Sequence, residues 1–84
     1  LIVPTRRYQL TADWQEIGQG PLMVEAETNQ AVLVHFADTI PNAPDAPAHQ
    51  VNRGTCVTYE GSAFCYARAA QHQIAKLIAT GDLL

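Results

Sequence analysis

The stretch Thr55-Cys56-Val57-Thr58-Tyr59-Glu60-Gly61-Ser62-Ala63-Phe64-Cys65-Tyr66-Ala67-Arg68 decides the fold class. β-Branched and aromatic residues, which suit a pleated, half-buried surface, lie on either side of Glu60-Gly61. Gly61 supplies the positive φ that a two-residue hairpin loop requires. The spacing predicts a hairpin with strands over 55–59 and 63–68. Counted outward from the loop, Tyr59 faces Ser62, Thr58 faces Ala63, Val57 faces Phe64, and Cys56 faces Cys65. That last pair falls at a non-hydrogen-bonded position, where Cα atoms about 4.5–5.5 Å apart allow a disulfide. Such a bond would stabilise by roughly 2–3 kcal/mol at best. The alternative is two reduced thiols packed as small hydrophobes. A reducing cytosol favours the thiols, and exposure outside a cell favours the bond.

Upstream, further strands follow from alternation. Tyr8 and Leu10 alternate with polar neighbours, and Leu22, Val24 and Ala26 alternate with Met23, Glu25 and Glu27, which predicts a half-buried strand with a charged outer face. Gly18-Gln19-Gly20-Pro21 reads as a breaker cluster between them. Past a turn at Thr28-Asn29-Gln30, Val32, Val34 and Phe36 alternate again, with Leu33 making the second face apolar too. Pro41, Pro44 and Pro47 stand three residues apart in a segment without periodicity, 38–53, which fits neither a helix interior nor a central strand. It reads either as an extended arm laid along a neighbour or as a mobile surface loop. Downstream, Ile74, Leu77 and Ile78 match a helical stripe, but a strand that covers the last sheet edge is favoured, with Gly81 as its end. Several short strands with turn clusters about 8–12 residues apart predict an all-β fold, a small antiparallel β-sandwich or barrel of about six to seven strands. The 84 residues form a single β domain, with an apolar N-terminal arm at 1–5 and a proline-rich loop at 38–53.

Composition narrows the function. Five Lys and Arg against eight Asp and Glu give a net charge of −3, the wrong sign for a phosphate-binding surface, so no nucleic-acid partner is expected. The longest apolar runs are far below the ~20 residues of a membrane helix, so no membrane partner is expected. Leu1-Ile2-Val3 is also shorter than the roughly 7–15 residues of a secretion-signal core. His35, His49, His72, Cys56 and Cys65 lack metal-ligand spacing, so neither metal nor cofactor is expected. Ser62, the one serine, flanks the turn without a base in its pattern, and Glu25 and Glu27 read as a solvated strand face; no catalytic residue is assigned. The candidate interface consists of Trp14, of Pro41, Pro44 and Pro47, and of the apolar ends Leu1, Ile2, Val3, Leu83 and Leu84. Tryptophan is enriched at binding hot spots, and apolar chain ends suit docking on a partner.

The order Trp14-x-x-Ile17-Gly18-x-Gly20, a Val/Glu strand, a Val-Leu-Val strand, a proline loop with His49 and Gly54, then Cys65-Tyr66-Ala67-Arg68 resembles small β-rich virion proteins of tailed bacteriophages. These are head decoration, head-fibre or tail accessory proteins. The resemblance runs from Tyr8 to Thr80, in a loose order of strands and turns, with Ala69-Ala70-Gln71-His72-Gln73 where such proteins often have a Gly-rich turn. It implies a non-enzymatic structural protein of the virion, assembled in the host cytoplasm, as a homo-oligomer, often a trimer. Its implied partners are the major capsid protein or other virion subunits. A free-standing β-sandwich module that binds carbohydrate or peptide is the alternative from another class.

Overall fold

A computed structural model describes residues 4–43, 46–71 and 74–83. Its strands are β1 (Thr5–Leu10), β2 (Gln15–Ala26), β3 (Val32–Ala37), β4 (His49–Val51), β5 (Cys56–Tyr59), β6 (Phe64–Ala69) and β7 (Ala75–Leu83). They form one antiparallel sheet in the order β1-β7-β2-β6-β3-β4, with β5 also paired to β2. The fold is all-β, and the 75–83 segment is the strand that the sequence favoured over a helix.

The sheet curls on itself around a core made by alternation. Leu22, Val24 and Ala26 of β2 are buried while Pro21, Met23 and Glu25 are exposed, a period-two pattern that places every second side chain inside. Ala75, Leu77 and Ala79 do the same on β7, and Val32 and Val34 on β3. The Ala69 N–H donates to the Thr11 carbonyl at 2.7 Å, and the Ala70 N–H to the Ala31 carbonyl at 3.0 Å. The second bond continues the β3–β6 ladder, and the first draws the end of β1 onto the end of β6, giving a barrel-like form.

Several sequence expectations need correction. Glu60-Gly61 does not turn a hairpin. Both β5 and β6 run antiparallel to β2, β5 over Leu22–Glu25 and β6 over Gln15–Gln19, so they lie end to end along one edge. Residues 60–63 are an excursion between them, tied down by the Gly20 N–H to the Ala63 carbonyl at 3.0 Å and the Gln19 amide to the Ser62 carbonyl at 2.9 Å. The disulfide therefore fails: Cys56 faces Glu25 and Cys65 faces Gly18, and both thiols are free. Seven β2 positions separate those partners, roughly 20 Å of strand, against the ~7 Å limit for a bridge.

The breaker cluster is the middle of a strand. β2 continues through Gly18-Gln19-Gly20-Pro21, where Gly20-Pro21 is a cis peptide bond. There β2 carries two residues more than β7, since Gln19 pairs with Asp82 and Leu22 with Gly81. A bulge tolerates proline because the ladder has no donor to lose there. Gly81 lies inside β7, with φ +148°, and a side chain there would run into Leu22 and Pro21. The proline-rich loop of 38–53 is also shorter than expected, because His49–Val51 is a strand paired to β3. At the other end, Thr5 belongs to β1 rather than to an N-terminal arm.

Candidate functional site

The N-terminal half of β2 (Gln15–Gln19), β6 and β3 form a patch whose rows are set by register. Glu16, Tyr66 and His35 make one row, and Gly18, Cys65 and Phe36 the next. Cys65 points inward, and burial pushes its thiol up to about 12. Tyr66 lies on the opposite face, is 5% exposed, and is raised by loss of solvent first and then by Glu16 and Asp38. Leu33 and His35 share that outer face with Tyr66, which realises the second apolar face read from the Val-Leu-Val run.

The segment that covers this face is the chain's own proline loop. The Trp14 indole N–H donates to the Ala43 carbonyl at 3.0 Å, and His35 Nδ1 donates to the Pro47 carbonyl at 2.7 Å. Trp14 sits 5.8 Å from the His35 ring and 5.4 Å from the Arg68 guanidinium carbon, a cation–π distance. The Ala46 N–H bonds the Ala43 carbonyl at 3.2 Å. Among the described residues, the loop is thus held on its own domain by Trp14 and His35. Trp14 is half-buried in that contact. Pro41 is half-buried and Pro47 exposed. Leu83 packs against the core. Leu1, Ile2, Val3, Pro44 and Leu84 lie outside the described residues.

Sequence reading passed over a second cluster. Phe36 stacks on Tyr59 with ring centres 4.1 Å apart and planes 15° from parallel, and His49 lies 6.2 Å from Phe36. The three residues come from β3, β5 and β4: pairing of β3 with β4 sets His49 beside Phe36, and the packing of β5 against that edge adds Tyr59. The Tyr59 hydroxyl accepts the Ala63 N–H at 3.1 Å, which ties the stack to the 60–63 excursion. Two openings meet at Phe36 and His49. One, of about 320 Å³, is bounded by Val34, His35, Pro47 and Ala48. The other, of about 540 Å³, is bounded by Gln50, Val57, Thr58 and Tyr59. Aromatic faces, two strand edges and the polar ends of His49, Gln50 and Thr58 make this a surface for recognition. The signal for it in sequence was weak: three isolated aromatic or imidazole residues at 36, 49 and 59 with no common spacing. No family model, curated protein or solved structure matches the chain.

Proposed function

We propose that this chain is a non-enzymatic structural protein of a bacteriophage particle, a head decoration or fibre-base subunit. It binds the major capsid protein or neighbouring virion subunits and works as a homo-oligomer, with a trimer the first expectation. The single observation that carries the binding reading is the half-buried Phe36–Tyr59 stack at a mouth between two short strand edges. Aromatic side chains left partly in water beside a cleft are the usual anchors of protein interfaces. The phage assignment is supported by the resemblance in strand and turn order.

The test is an image of purified particles labelled with an antibody against this chain, together with its mass by light scattering. Label on the particle surface and a multimeric mass are the expected results, and label on the tail would move the protein to the tail accessory class. A stable monomer absent from particles would overturn the reading. That outcome would favour the second reading, a free-standing module for carbohydrate or peptide, which draws on the polar His49, Gln50 and Thr58 around the aromatic floor.

A further inference from the structure

The strand edges of this sheet are treated unequally. β1 forms one outer edge, and it carries Arg6 and Arg7, both exposed, directly after Pro4. Charges and prolines on an edge are the ordinary protection against pairing with another chain. β4 is hydrogen-bonded to β3 alone and β5 to β2 alone among the described strands, so each has a second, open side. Neither carries Lys, Arg or Pro: β4 reads His49-Gln50-Val51 and β5 reads Cys56-Val57-Thr58-Tyr59. The opening of about 540 Å³ lies between these two unguarded edges, floored by Phe36.

We propose that this slot accepts an extended segment of a partner polypeptide as an additional β-strand. The proposal deepens the binding reading above and rests on it. Rows of backbone N–H and C=O groups along both rims select a strand, because only an extended chain repeats its own donors and acceptors at the matching spacing. Edges three and four residues long offer roughly 10–13 Å, enough for three or four incoming residues. Alternate side chains of that strand point down onto Phe36, Val57 and Tyr59, which calls for aliphatic residues. The others point outward. There Glu25 stands beside Cys56 across the β2–β5 register and Glu60 follows Tyr59, both exposed. No Lys or Arg is among the described residues lining the slot. Arg53, before β5, donates to the Asn29 side chain at 3.0 Å. The outward positions of the partner strand are therefore basic.

The experiment uses the full chain, isotopically labelled, with the capped peptide acetyl-Lys-Val-Lys-Val-Lys-amide as probe. Amide exchange at 49–51 and 56–59 should slow at least ~10-fold on binding, as edge groups gain partners. Two versions N-methylated at alternate positions should each weaken binding by at least ~10-fold, for the same reason. A Glu-for-Lys peptide should bind more weakly, and the exposed double variant Glu25→Lys/Glu60→Lys should reverse that preference while keeping its unfolding midpoint. Binding indifferent to N-methylation, protection along β1 instead, or no binding at millimolar peptide would overturn the proposal. So would concentration-dependent protection of both edges without peptide, which would make a second copy the occupant. Particle labelling that succeeds while these fail would remove the strand slot and leave the structural assignment standing.

Discussion

Along the β7–β2 ladder, Ala79 pairs with Val24 and Leu77 with Ala26, all buried, over a register that runs to Leu83. At the β4–β5 mouth, Phe36 and Tyr59 are only half-buried, and His49 is exposed. In the first region β2 is paired on both sides, with β7 on one and β5 on the other. The second has large rings and strands of three and four residues, and its outer edges stay open. The contrast teaches that apolar content does not decide where this sheet is stable. Pairing on both sides of a strand does, and the Phe36–Tyr59 stack lies where β4 and β5 each keep one side open.

The largest expected break in that contrast is Leu77→Ala. It removes a fully buried side chain from the closed wall and should cost about 2–5 kcal/mol. Urea unfolding measures it, and a cost below 1 kcal/mol would mean that the wall repacks. Next comes alkaline pH. Native Cys65 keeps its proton up to about 12, whereas the unfolded thiol releases it near its ordinary 9.0. The protonated native form is therefore fully stabilising below pH 9. That contribution is lost as pH rises toward 12, by about 1.4 kcal/mol per pH unit. The slope difference between the wild type and Cys65→Ala over that range isolates it. A thiol count at pH 8 checks the same burial, with Cys56 labelled in the native state and Cys65 only after unfolding.

At the mouth the effects should be smaller. Phe36→Ala should cost about 1–2 kcal/mol, less than Leu77→Ala despite the larger side chain, because part of the ring is already in water. A larger cost than for Leu77→Ala would reverse the ranking of the two regions. Tyr59→Phe keeps the stack and removes only the acceptor for the Ala63 N–H, at about 0.5–1.5 kcal/mol. Smallest of all is Arg7→Ala. Its ion pair with Glu27, at 2.7 Å, is 62% exposed on the arginine side and should be worth no more than about 0.5 kcal/mol.

The alternating segments were legible because burial on one face leaves its period in the sequence. Leu22, Val24 and Ala26, and likewise Val32 and Val34, are buried as that period predicts. The hairpin was not legible correctly, because β5 and β6 have strand composition whichever strand they pair with. What placed them along β2 is the bulge at Gly20-Pro21, and a glycine-proline pair reads as a break when its partners are unseen. The proline loop was found by composition, but its docking depends on the Trp14 indole and the His35 ring reaching the Ala43 and Pro47 carbonyls. The aromatic mouth left no trace, since Phe36, His49 and Tyr59 come from three strands whose pairing the sequence does not spell out.

The pairing of β1 with β7, Thr5 opposite Thr80 and Leu10 opposite Ala75, joins the first strand to the last. On the ribosome β1 cannot be seated until residues 75–83 have emerged, because ladders between distant segments form only after both exist. Until then β1 and the β7-facing side of β2 both await the same partner. Loss of β7 would strand β1 entirely and open one side of β2, which would keep β5 and β6 on the other.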